Sequence, residues 1–203
     1  MGKKSNKISN GVKKNVKDKI GLLSKRRGFT LIEMIVSISI IALISGTFLA
    51  NYHSGNKQSE LTMTAQKLIS DIRLAQSYSL GSKEYGGSVP SGGWGVHFDK
   101  ASFPGSYKIF ADSNGNKAYD IGEDDKDKGG QTVNFPAGIG LTEINTGALI
   151  NLVDITFLPP DPTTNIWDGE NSYNIVQIKL GGETEDLTKI VAVNFFGLVE
   201  VTN

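Results

Sequence analysis

Hydrophobic positions along this chain follow three successive patterns. Residues 29–50 read FTLIEMIVSISIIALISGTFLA, an apolar run of 22 residues with one ionisable group, Glu33. At a helical rise of about 1.5 Å per residue the run spans about 33 Å, close to the hydrocarbon thickness of a bilayer. A buried core helix of that length would normally show a polar stripe, and this run has none, so it predicts a membrane-spanning helix over residues 29–55. From residue 56 to 80 the period stays helical but narrows to one face. Leu61, Ala65, Leu68, Ile72 and Ala75 recur at spacings of 4, 3, 4 and 3, with Glu60, Lys67, Asp71 and Arg73 off that face. This predicts a stalk helix that packs its apolar stripe under a globular head and ends at Gly81.

From Gly86 onward the period becomes two. Trp94, Val96 and Phe98 alternate with Gly95 and His97, and Tyr107 and Ile109 flank Lys108. Further runs are Val153–Phe157, Val176–Leu180, Val191–Phe195 and, past Gly197, Val199–Val201. Each is short and bounded by Gly, Pro, Asn or Asp, which predicts antiparallel strands. The GGETED stretch reads as a hairpin loop between two of them, and residues 158–172, with Pro159-Pro160-Asp161-Pro162, read as a surface loop. The predicted fold class is α+β: a long N-terminal helix, transmembrane half then amphipathic half, packed on an antiparallel head of two sheets.

Charge adds topology to this picture. The formal net charge of the 203 residues is zero, but residues 1–28 hold ten Lys/Arg against one acid, Asp18, and residues 29–203 hold eleven against twenty. A head of +9 and a body of −9 therefore flank the apolar run. Lys25, Arg26 and Arg27 abut it, which keeps the N-terminus cytoplasmic and sends the remainder across the membrane. An ordinary secretory signal would carry a small-residue cleavage site after the apolar stretch, and no clear Ala-x-Ala pattern occurs at residues 46–58. The small-residue junction lies on the cytoplasmic side, at Gly28, where a cut would leave the hydrophobic segment on the mature chain. A carboxylate within a span is costly, so Glu33 is a functional candidate. Its alternative is a residue near the helix start, snorkelling to the interface and favoured by the helix dipole. A cut after Gly28 would place a new α-amine on Phe29, four residues from Glu33, where the two charges could neutralise each other within or between chains.

Lys25-Arg26-Arg27-Gly28-Phe29-Thr30-Leu31-Ile32-Glu33, followed by the unbroken apolar run, resembles the class III leader and N-terminal helix of type IV pilins and type II secretion pseudopilins. The resemblance covers residues 25–50. It implies a cleaved leader over 1–28, cleavage between Gly28 and Phe29, N-methylation of Phe29 and an assembly role for Glu33. It also implies three sets of partners: a prepilin peptidase/methyltransferase, other pilin or pseudopilin subunits, and an inner-membrane assembly platform. The implied location is the cytoplasmic (inner) membrane, single-pass with the head outside, and then a pilus or pseudopilus. The helix-breaking proline found midway along the stalk of many major pilins is absent, and Gly46 alone could loosen the helix. Residues 65–75 (AQKLISDIRLA), Trp94-Gly95-Val96-His97-Phe98 and the Gly197-Leu198-Val199-Glu200-Val201 ending resemble the minor pseudopilin H component and the pilus-assembly protein FimT. This looser likeness implies a two-sheet head over residues 56–203 and a minor, tip-associated role.

Other chemistry is sparse. The chain has no cysteine and two histidines, which excludes thiol nucleophiles, disulfides and Cys-containing zinc sites. There is no phosphate loop, HExxH or GxSxG, so no enzymatic activity is expected. Asp99 stands two residues from His97, and the two are not read as a dyad; Trp94, Phe98 and Phe195 read as core. Residues 112–123, DSNGNKAYDIGE, place Asp112, Asn114, Asn116, Asp120 and Glu123 at positions 1, 3, 5, 9 and 12 of a calcium-loop template. Lys117 stands where that template has glycine, and a strand leads in, so this is a candidate Ca2+ turn rather than an EF-hand. The alternative is an ordinary hairpin turn. Asp124, Asp125 and Asp127 would add ligands or solubility; no cofactor is required. Function therefore reads as a structural minor pilin or pseudopilin precursor. The alternative is a DNA-capturing minor pilin at a competence pilus tip, against which the net charge of −9 and the lack of Lys or Arg in the last nine residues both argue.

Overall fold

The computed structural model describes residues 28–101, 103, 105–159, 163–182 and 187–202, apart from the side chains of residues 50–55. The basic leader up to Arg27, the Pro160–Pro162 stretch and the ETED tip of the expected hairpin loop lie outside the described residues. The chain divides into two compact units at Ala50. One helix, α1 (Leu31–Leu80), belongs to both.

In the second unit, α1 buries the stripe predicted for it: Leu61, Ala65, Leu68, Ile72 and Ala75 are each at most 2% exposed. The helix ends in a Schellman motif, with Lys83 N–H on the Tyr78 carbonyl (2.9 Å) and Ser82 N–H on the Ser79 carbonyl (3.0 Å). The left-handed residue that closes it is Ser82, at φ 49°, one position past the glycine that marks the end in the sequence.

Eleven strands follow among the described residues. They are β1 (Trp94–Asp99), β2 (Ser106–Ala111), β3 (Gln131–Asn134), β4 (Gly140–Asn145), β5 (Leu149–Ile150), β6 (Leu152–Leu158), β7 (Thr163–Trp167), β8 (Ser172–Tyr173), β9 (Ile175–Gly181), β10 (Thr188–Asn194) and β11 (Val199–Thr202). They form two antiparallel sheets, ordered β3-β2-β1-β6-β7-β8 and β11-β10-β9-β4-β5. The expected surface loop at 158–172 holds β7 instead: Thr164 and Ile166 face the core and pair with β6 opposite Phe157 and Ile155. The fold class is α+β with two sheets, as the alternation implied.

The two sheets and the helical stripe share one core. Trp94, Val96 and Phe98 of β1, Val153 and Ile155 of β6, and Val176, Ile178 and Leu180 of β9 are all 0% exposed within it. Polar contacts also lock α1 to the sheets, two of them within the core. Trp94 N–H donates to Ser79 Oγ (2.7 Å), and Tyr107 O–H donates to the Asp71 carboxylate (2.6 Å), whose other oxygen holds Lys67. Asp71 therefore lies within the interface, 3% exposed, rather than off the packed face where its sequence position put it. Burial, with the Asp71 bond second, pushes the Tyr107 hydroxyl well above the usual phenol range. Phe195 departs from expectation in the other direction. It falls in the turn after β10 and is 45% exposed.

Candidate functional site

The first candidate is the start of α1. Thr30 and Glu33 form a reciprocal capping box: Glu33 N–H donates to Thr30 Oγ1 (3.3 Å), while Thr30 N–H donates to Glu33 Oε2 (3.2 Å). The Thr30 hydroxyl also donates to that oxygen (3.2 Å). A threonine with a glutamate three residues on is the sequence signature of this cap, and it satisfies two otherwise orphaned amides. Beyond it, Leu31–Leu49 is long and apolar enough to cross a membrane. Its large apolar side chains are exposed, from 49% at Val36 to 77% at Leu31, and 0% of the segment is buried within the chain. Three hydroxyls in the span donate to their own helix, Ser37 to the Glu33 carbonyl, Ser39 to Ile35 and Thr47 to Ile44. That removes donors that would be costly in hydrocarbon.

Gly28 and Phe29 precede the cap. Phe29 is 76% exposed, and a Cβ at Gly28 would meet nothing within 4 Å. Packing among the described residues therefore places no demand for glycine at 28. A requirement for it must come from whatever binds this junction.

The second candidate is the 112–123 loop. Asp112 is fully buried, and both its oxygens accept backbone N–H groups: Oδ1 from Gly115 (2.7 Å) and Asn116 (3.1 Å), Oδ2 from Lys117 (2.8 Å). Glu123 takes Ser113 N–H (2.8 Å) and Asp120 N–H (3.0 Å), and Asp120 Oδ2 takes the side-chain amides of Asn114 (2.7 Å) and Asn116 (2.9 Å). Lys117 adopts φ 67°, the left-handed conformation for which the template uses glycine. Gly92 is required opposite, because a Cβ there would lie 1.9 Å from Asp112 Oδ2. The five predicted residues thus share one loop, yet their carboxylates face N–H donors rather than a common point. Among the described residues no group of three or more His, Asp or Glu side chains is placed to hold a metal ion. Burial raises the Glu123 carboxyl above its usual range against its two backbone bonds, with Asp112 and Asp120 adding repulsion.

One pairing was not legible in the sequence. His97 Nδ1 lies 2.7 Å from Asp154 Oδ1, both nearly buried, because β1 and β6 set the two residues side by side. The Tyr119 ring covers His97 at 4.8 Å, and Lys108 Nζ donates to the Tyr119 hydroxyl. The only advance signal is that each is a polar residue in the middle of an otherwise apolar alternating run. The pair anchors the 112–123 loop's aromatic cover to the outer face of the sheet.

A family model for the prokaryotic N-terminal methylation motif matches residues 23–49, the segment that holds Gly28, Phe29, the capping box and the span. No curated protein and no solved structure matches the chain. The motif supports a type IV pilin-like precursor that is processed at its N-terminus by a prepilin peptidase and assembles with other pilins. The apolar start of α1 fits the membrane anchor of such a protein.

Proposed function

We propose that the chain is the precursor of a minor pilin or pseudopilin, cut between Gly28 and Phe29, methylated on Phe29 and incorporated into a filament through α1. The observation that carries this reading is one segment in which a methylation motif, a capped helix start and a wholly exposed apolar span coincide. Lys25, Arg26 and Arg27 hold the leader on the cytoplasmic side, and the acidic head lies across the membrane. The chain's own role is structural rather than enzymatic. After the cut, the nearest cation to Glu33 is the Phe29 α-amine, since residues 29–50 contain no Lys, Arg or His. In a filament, staggered subunits would set the amine of one chain on Glu33 of another and shield both from hydrocarbon. Such a pair fixes register, because a displaced stagger strands two charges.

Processing tests the reading directly. Because the fold tolerates a side chain at 28, Gly28→Val leaves the precursor folded and membrane-inserted while obstructing approach to the 28–29 peptide bond. Immunoblots of membranes should show the long form accumulating. A mature-sized Gly28→Val product equal to wild type refutes the assignment of the cut.

A further inference from the structure

The last strand leaves a sheet edge open. β11 is the terminal strand of its sheet and pairs with β10 on one side only. Its hydrogen-bond phase follows from the turn that precedes it, where Asn194 N–H donates to the Leu198 carbonyl (3.2 Å). In an antiparallel pair such contacts recur at every second residue, so Leu198, Glu200 and Thr202 direct their backbone groups into β10. Val199 and Val201 direct theirs outward. Arg73 of α1 confirms the phase by donating to the Val199 carbonyl (3.4 Å), and Gln76 donates to the Gly197 carbonyl (2.7 Å). The Val199 N–H and both backbone groups of Val201 face a groove of about 540 Å³ lined by Gln66, Ile69, Ser70 and Arg73 of α1.

Edge strands are usually blunted by lysine, proline, a bulge or shortness. β5 and β8 have two residues each, too few to template an added strand, and β3, the remaining edge, reads Gln-Thr-Val-Asn and offers no charge by which to select a partner. β11 reads Val-Glu-Val-Thr, four regularly paired residues without lysine, proline or bulge, and α1 covers this edge only in part, through Arg73 on the Val199 carbonyl. Its side chains state what would fit. Val199 and Val201 lie on the core face beside Val193 and Val191, and Glu200 lies on the opposite face, across from Ala192. None of the ion pairs among the described residues includes Glu200. A second copy adding its own β11 in the register that pairs Val199 with Val201 would set Glu200 directly against Glu200, and like charges so placed repel.

We propose that the open edge of β11 receives an extended segment of a separate polypeptide as a sixth strand, with a lysine or arginine opposite Glu200 between two apolar residues that rest on the Ile69 side of the groove. Main-chain hydrogen bonds to Val199 and Val201 supply the register, and the alternating side chains supply the selectivity.

The test uses the full-length chain in detergent micelles and fluorescein-labelled Ser-Thr-Val-Lys-Val-Thr-Ser, with the Val-Glu-Val peptide as its counterpart. Anisotropy should rise saturably with the lysine peptide and bind about tenfold more weakly with the glutamate peptide. Val201→Pro deletes an outward N–H that the β10 ladder does not use, so far-UV circular dichroism should stay as in wild type while lysine-peptide affinity falls about tenfold or more. The substitution leaves net charge unchanged, which separates strand addition from simple attraction to an acidic head. Glu200→Lys, at an exposed position, should invert the preference between the peptides and covers the case in which Val201→Pro misfolds. Equal affinity for both peptides, or wild-type affinity in folded Val201→Pro, overturns the proposal. So does concentration-dependent dimerisation that Val201→Pro abolishes without any peptide binding, which would make the occupant a second copy.

Discussion

Asp112 carries three backbone N–H groups on one buried carboxylate, and this sets what its removal costs. As a metal ligand it would matter only with the ion bound, and the calcium-free head would barely notice its loss. As the acceptor for the Gly115, Asn116 and Lys117 amides, it supports the loop with no ion present. Asp112→Ala strands those donors beside a void, at a cost of about 2–4 kcal/mol, or roughly 5–15 °C in thermal midpoint for a chain of this size. Thermal unfolding in excess chelator should show that loss in full. A mutant midpoint equal to wild type in chelator would return Asp112 to the ligand role. The same lesson holds at Asp71, where burial against Tyr107 makes an apparently solvated helix charge part of the core.

Among the elements, the β7–β8 hairpin depends on a single turn residue. Asp168 Oδ1 accepts Glu170 N–H (2.8 Å) and Asn171 N–H (2.6 Å), and its other oxygen accepts the Tyr173 hydroxyl (2.5 Å). The Tyr173 bond, ahead of the backbone ones, holds the Asp168 carboxyl down to about 2 from 3.8. Because the folded value lies below the unfolded one, the turn's contribution is complete above pH 3.8 and is lost as pH falls through about 2. Carbon-detected NMR titration should place the Asp168 midpoint near 2, and Tyr173→Phe should move it up toward 3.8. A midpoint unmoved by that change would show that the backbone amides alone set it. Glu123 has the opposite sign: its raised carboxyl favours the fold at low pH and loses that contribution as pH rises through its folded value.

For the whole molecule, Glu33 is the test of how subunits would register. In the single chain its carboxylate is occupied by Thr30, so assembly on a neighbour's amine would exchange one set of partners for another. Glu33→Leu loses the capping box, about 1 kcal/mol at an exposed helix start, but makes the span more apolar. Membrane insertion and cleavage after Gly28 should persist, while the mutant's share in sheared filaments should fall, with Glu33→Asp intermediate because its reach is shorter. Immunoblots of the filament and membrane fractions give both readouts. A wild-type share for Glu33→Leu would leave the residue as a helix cap with no role in registration.

The sequence by itself determined whatever depends on neighbours within about one helical turn or one strand. The span, the Gly28–Phe29 junction, the Thr30–Glu33 spacing and the Leu61–Ala75 stripe are local patterns, and solvent preference alone orients them. The strands at 94–99, 152–158 and 175–181 were legible because apolar side chains recur at every second position, although only 175–181 leaves its other face largely to solvent. Tertiary structure decided the rest. β7 lies beside a proline cluster that masks its alternation, β3 and β4 are held by pairing with the distant β2 and β9, and β5 and β8 are two-residue strands too short to show a period. His97 meets Asp154 across 57 residues, and Tyr107 meets Asp71 across 36, through a register that composition does not encode. Which edge of which sheet would stay open follows from strand pairings that reach across the head. Those are non-local contacts, whose cost and reward appear only once the core has formed.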